Sequence, residues 1–170
     1  MGYGIQAYAV NEEQLDAVWA SNDEGVIDRA LATSLGAYRS RSDSRLRELL
    51  GAIVRGTAPV GNTVDAHDYL YAMEVLCALY GTRAEGEIRL SPKGIDRTPE
   101  MRLFLRSSPP FARWRSRDFP VVCAWGKAQV EERLASQQSW PAALDFEREI
   151  YLSWLRFAAE RKLSLVGFYY

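Results

Sequence analysis

From Tyr69 to Tyr80 every residue but Glu74 is apolar or aromatic. A helix that is hydrophobic almost all round belongs inside a packed domain rather than on its surface. The pattern predicts such a helix from Asp65 to Tyr80, with Asp65 as N-cap and Gly81 as the C′ residue. Its length would be roughly 22 Å, close to the width of a small domain. Upstream, Tyr3–Val10 reads as a strand apolar on both faces, hence internal to a sheet. Asn11, with Gln14 three residues on, resembles a capping box and opens a helix to about Ser21. Helical spacing through Val26, Ile27, Ala30, Leu31 and Ser34 predicts a second helix over Asp23–Leu35, ended by Gly36. The serine- and arginine-rich stretch Tyr38–Arg45 reads as a solvated turn. Leu46, Leu49, Leu50 and Ile53 then mark one face of a helix over Leu46–Val54, and Gly56–Val64 is a loop.

Downstream of the central helix, Glu85–Leu90 predicts a short edge strand, and Ser91-Pro92-Lys93-Gly94 a turn. Thr98-Pro99-Glu100 has the cap, the proline and the acid of a helix start. That helix must end before Pro109-Pro110. Asp118–Gly126 is a second clear strand and Lys127–Ser136 a helix. A long helix follows from about Trp140 to Lys162, capped by Ser139, with a stripe that includes Ile150, Tyr151, Trp154, Leu155 and Ala158. Leu163–Tyr170 closes the chain as another internal strand. A strand, two helices and a strand predict a parallel, right-handed crossover. The expected fold is α+β: one domain over residues 1–170, a mixed sheet of three or four strands covered by helices, and a buried central helix.

The bulk numbers fit that picture. The chain has 170 residues, 48% of them hydrophobic and 25% charged, as in a soluble globular domain. A net charge of −1 argues against wholesale attraction to nucleic acid or anionic membrane. Cys77 and Cys123 each lie in an apolar run, which suits a reducing cytosol better than a disulfide scaffold. Two cysteines and one histidine are too few for a zinc finger, and no motif calls for a metal or a cofactor. The first ten residues lack the basic region of a signal peptide, and no run is long enough to span a membrane. The expected compartment is the cytoplasm.

Two nucleotide-binding patterns fail on physical grounds. Gly2-Tyr3-Gly4-Ile5-Gln6-Ala7 spells a dinucleotide fingerprint, but no strand precedes it. Gly56 to Thr63 has P-loop spacing, but Asn62 stands where the lysine is needed to neutralise phosphate. Charge is segregated more tellingly. Arg97, Arg102, Arg106, Arg113, Arg115 and Arg117 face Glu100 alone, a local charge of +5, with Phe104, Phe111 and Trp114 interleaved. That mixture suits single-stranded nucleic acid, and it makes Arg102, Arg106, Arg113, Trp114, Arg115 and Arg117 candidate binding residues. Asn11–Asp28 carries six acids and no base, so the two segments either neutralise one another or mark a polar interaction face.

The remaining constellation is on the central helix. Residues at i, i+4 and i+7 share a face, so His67, Tyr71 and Glu74 align. They are the candidate catalytic residues, since a histidine and a carboxylate with a raised pKa can serve as acid and base. The simpler reading is favoured: His67 is a first-turn surface residue, and Glu74 pairs with a buried arginine. Tyr8, Tyr169 and Tyr170 read as core or sheet-edge aromatics. Gly167 marks either a bulge or a close approach of backbone.

Three pieces carry a resemblance: Met1-Gly2-Tyr3-Gly4-Ile5, the helix Tyr71-Ala72-Met73-Glu74-Val75-Leu76-Cys77, and the ending from Trp154-Leu155-Arg156 to Val166-Gly167-Phe168-Tyr169-Tyr170. They resemble a family of uncharacterised bacterial domains, common in actinobacteria, whose members begin Met-Ser/Gly-Tyr and end Val-Gly-Phe-Tyr. The family carries no assigned activity, so the resemblance transfers no site residue. It implies bacterial origin and a single domain. The function expected from all this is a non-enzymatic cytosolic module that binds another protein or a small ligand, in the manner of an immunity or regulatory protein. The rivals are a small acid–base enzyme with a pocket around Glu74 and His67, and single-strand binding through Arg97–Arg117.

Overall fold

A computed structural model of the chain describes residues 3–42, 44–61, 66–90, 99–107, 121–139 and 145–170. Its sheet has five strands: β1 (Tyr3–Val10), β2 (Gly81–Arg83), β3 (Ile88–Leu90), β4 (Val121–Trp125) and β5 (Ser164–Tyr169). They run β2-β1-β5-β4, and β3 takes the length of the β1 edge that β2 leaves open. β2 lies opposite Tyr8–Val10 and β3 opposite Tyr3–Ile5. β1 and β5 are thus paired on both sides, as their two apolar faces predict.

The class is α+β as expected, but the sheet has five strands rather than three or four, and every pairing is antiparallel rather than mixed. The expected parallel crossover fails for a geometric reason. From β4 the chain enters α7 (Lys127–Ala135), then α8 (Asp145–Glu160), which packs on α7, and only then reaches β5. A hairpin of two helices reverses the chain once more than a single helix does, so β5 runs against β4. β2 escapes a sequence reading because three residues carry no periodicity. It forms where the central helix delivers the chain to the β1 edge.

Side chains alternate across the sheet and feed two separate cores. Tyr8, Val10, Ala124, Val166 and Phe168 point to one face, under α1 (Glu12–Val18), α2 (Gly25–Ala32), α3 (Ser34–Ser42), α4 (Leu46–Val54) and α5 (Ala66–Tyr80). Ile5, Ala7, Ala9, Cys123 and Leu165 point to the other, under α6 (Pro99–Arg106), α7 and α8. Trp154 and Leu155 of α8 are fully buried there, with Phe104 of α6.

The central helix is α5. It touches α1 to α4 on one side and β1 and β2 on the other. Ala66, Tyr69, Leu70 and the whole run Ala72–Cys77 are buried, whereas His67 is exposed and Ala78–Tyr80 are half-buried. It is interior along its middle and open at both ends. The predicted cap Asp65 lies outside the described residues. Gly81 is not a left-handed C′ residue but the first residue of β2. A Cβ there would sit 2.6 Å from the Ala9 carbonyl oxygen and 2.6 Å from Val10 Cγ1, so glycine lets the end of α5 close onto β1.

The single helix expected over Asp23–Leu35 is two. Thr33 leaves helical geometry with ψ of 154°, and its hydroxyl accepts the Gly36 N–H at 2.9 Å. That is an N-cap bond, so Thr33 ends α2 and starts α3, and Gly36 lies within α3 rather than closing α2. The predicted turn Tyr38–Arg45 is largely this third helix. The expected helix over Trp140–Lys162 likewise shortens: residues 136–139 form a 3₁₀ turn, and α8 begins at Asp145.

Gly167 marks a close approach and not a bulge. The ladder runs through it in unbroken register, with Ala7 and Cys123 opposite. A Cβ would meet Phe104 Cε1 at 2.7 Å and Cys123 Sγ at 2.9 Å. Gly167→Ala is therefore expected to overpack the second core and lower stability by about 1–3 kcal/mol. A urea midpoint equal to that of the parent would contradict it.

Candidate functional site

Burying a carboxylate is costly unless it is paired and hydrogen-bonded. Glu74, 1% exposed in the middle of α5, meets that requirement with three partners. The Tyr8 hydroxyl donates to Oε1 at 3.2 Å, and Arg39 Nη2 donates to Oε2 at 2.7 Å. The Tyr170 hydroxyl donates to Oε2 as well, and accepts from Arg39 Nη2 at 3.0 Å. Tyr71 completes the group: the Arg39 guanidinium lies 4.2 Å from its ring centroid, and its ring stacks on that of Tyr170 at 6.0 Å. The cluster draws on β1, α3, α5 and the residue after β5.

Burial, together with the Glu74 carboxylate, pushes the Tyr8 and Tyr170 phenols far above their ordinary value. Burial works against the charge on Arg39, but Tyr170 and Glu74 outweigh it and hold the guanidinium's pKa above its usual value. Cys77 and Cys123, both fully buried, have thiols raised by desolvation, which is the setting of an inert cysteine.

In front of this cluster lies a cleft of about 310 Å³, lined by Tyr8, Ser34, Leu35, Tyr38, Ala78 and Arg83. α3 forms one wall, the last turn of α5 another, and the β1–β2 ladder the floor. Tyr38 is 69% exposed at its side. A smaller recess of about 210 Å³ lies between α1 and α2, bounded by Gln14, Val18, Asp23, Val26 and Tyr80. Its acid, Asp23, is held by Arg29 at 3.0 Å.

The family match spans the same elements from end to end. The chain belongs to the family described as Domain of unknown function (DUF7691), matched over residues 1–170. No curated protein and no solved structure matches it.

In this DUF7691 domain the three aligned residues of α5 do not stay together. Tyr71 and Glu74 share the cluster. His67 lies 46% exposed in the first turn, where Nε2 is 2.8 Å from Asp68 Oδ1 and Arg45 approaches the same carboxylate's other oxygen at 3.3 Å. Seven residues along a helix span about 10 Å, which keeps the imidazole away from Glu74. Neither His67 nor Glu74 lines either of the two clefts described above. A lone acid on an apolar helix calls for a cation beside it but does not say which one, and Arg39 lies in a stretch that reads as a solvated turn. The signal for Tyr8 and Tyr170 was weaker still: each is one aromatic among many in an apolar strand.

Three of the six acids of residues 11–28 have a base close by: Asp23 pairs with Arg29, Asp28 with Arg47 and Glu24 with Arg55. These are exposed pairs, which contribute little to stability. Of the basic segment, Arg102 is half-buried and Arg106 exposed on α6, while Arg113, Trp114, Arg115 and Arg117 lie outside the described residues. Among the described residues no group of three acids, cysteines or histidines could hold a metal ion, and no helix is long and apolar enough to cross a membrane.

Removing the shared acceptor takes the carboxylate from the Tyr8 and Tyr170 hydroxyls and from the Arg39 guanidinium in a buried setting, so Glu74→Ala is expected to lower stability by about 3 kcal/mol. His67→Ala should change it by less than about 0.5 kcal/mol. Equal effects of the two in urea denaturation would contradict the assignment. The tyrosines supply a pH test. Each binds its proton more tightly in the folded state, so its stabilisation is complete below the unfolded pKa near 10 and is lost as pH rises above it. Stability should fall above about pH 10 by about 1.4 kcal/mol per pH unit for each tyrosine, and Tyr8→Phe or Tyr170→Phe should remove one such contribution to the slope. Denaturation midpoints across pH 8–11 in parent and variants, an interval of about 3 units around that pKa, read it directly.

Proposed function

We propose that the chain is a non-enzymatic binding module, bacterial and cytosolic, whose ligand site is the cleft between α3, the end of α5 and the β1–β2 ladder. The observation that carries this reading is the cleft itself. It combines an apolar wall of Leu35 and Ala78 with the polar groups of Ser34, Tyr38 and Arg83 in one cleft. A concave site in which a few polar groups converge beside an apolar surface is the usual form of a ligand site. The acid–base reading is weaker, because a general base must come within hydrogen-bond reach of the substrate, and Glu74 is buried among its own donors. Both oxygens of Glu74 already accept from Tyr8, Arg39 and Tyr170.

A fragment screen followed by amide chemical shifts tests the proposal. At least one compound should shift the amides of Ser34, Leu35, Tyr38, Ala78 and Arg83 together, and Tyr38→Ser should weaken it. Shifts scattered over the surface, or gathered elsewhere, would remove the cleft from consideration. Labelled single-stranded oligonucleotides should show no binding at low ionic strength. Salt-dependent binding would instead favour the Arg97–Arg117 segment.

A further inference from the structure

Arg83 sits directly opposite Tyr8 in the β1–β2 register, so the two side chains lie on the same face of the sheet, the face that carries α3 and α5. It reaches the cleft from the floor, whereas Arg39, Arg45, Arg47 and Arg55 are each committed to a carboxylate elsewhere. Among the described residues Arg83 makes no ion pair, and no acid is among those lining the cleft. Glu74, behind Tyr8, is already matched by Arg39. Among the described residues the cleft therefore carries one uncompensated positive charge beside an apolar wall.

Resting on the reading of the cleft as a ligand site, we propose that it takes a small monocarboxylate, with the carboxylate on Arg83 and the apolar body against Leu35, Ala78 and Tyr38. A guanidinium presents paired N–H donors that match the two oxygens of a carboxylate. Ser34 and Tyr38, which line the same cleft, carry hydroxyls that can act as further donors. One arginine neutralises one charge, so a phosphate monoester, which carries nearly two, is left half compensated. The volume of about 310 Å³ is at the small end for ligand pockets and limits the apolar body to the size of one ring or a short chain.

The test is a titration of the isotopically labelled full chain with three probes of shared shape: 3-phenylpropionate, the uncharged 3-phenylpropan-1-ol, and phenyl phosphate. Each is run on the parent and on Arg83→Gln, an exposed position whose fold is verified from the same spectra. The expected result is saturable shifting of the Ser34, Leu35, Ala78 and Arg83 amides by phenylpropionate. Its affinity should exceed that of the alcohol by about tenfold, and Arg83→Gln should erase the difference. If the alcohol matches the acid in the parent, the carboxylate assignment is overturned while the cleft remains a ligand site. Tighter binding of phenyl phosphate overturns the monocarboxylate in favour of a dianion. If no probe moves these amides, the inference and the functional reading of the cleft fall together.

Discussion

The carboxylate of Glu74 is the point at which the first core is tied. It lies at the middle of a helix whose other interior side chains are apolar, where an unpaired charge would cost several kcal/mol. The fold meets that demand by bringing Arg39 from α3, Tyr8 from β1 and Tyr170 from beyond β5 to its two oxygens. Those partners are separated from Glu74 by 35, 66 and 96 residues, so a single charged group registers helix, sheet and chain end against one another. Apolar packing tolerates small slips of one helix along another. A carboxylate with three directed donors does not.

The same contacts define the cleft. Tyr8 is both a donor to Glu74 and part of the cleft floor, and α3 carries Arg39 one position beyond Tyr38. The wall formed by Ser34, Leu35 and Tyr38 is thereby held at a fixed distance from the β1–β2 ladder. Thr33 sets where that wall begins, because its hydroxyl caps α3 and its backbone ends α2. The polar network thus holds the walls of the proposed site in place, with Arg83, Tyr38 and Ser34 among the groups that line it.

On the far side of the sheet the constraint is steric rather than electrostatic. Trp125 Nε1 donates to the Tyr151 hydroxyl at 2.6 Å, and Trp154 Nε1 donates to the Glu85 carbonyl at 2.8 Å, so the large aromatics of that core are oriented as well as packed. Phe104 lies against Gly167 and stacks at a tilt with Trp125 and Tyr151. Two cores of different character share one five-stranded sheet, and β5, buried along its whole length, belongs to both.

Much of the local structure was legible in the residues alone. The two-faced apolar pattern of Tyr3–Val10 and Leu163–Tyr170 identified the inner strands, the spacing of Leu46, Leu49, Leu50 and Ile53 identified α4, and the Asn11 cap placed the start of α1. A lone acid in an apolar helix also announced that a cation must lie beside it. These are properties of short windows, and short windows respond to periodicity, capping and desolvation. The direction of β5, the existence of β2, the choice of Arg39 over every other arginine and the separation of His67 from Glu74 were decided by the tertiary structure. Each depends on where distant segments meet. Neither strand polarity nor the partner of a buried charge is encoded in the spacing of neighbouring residues.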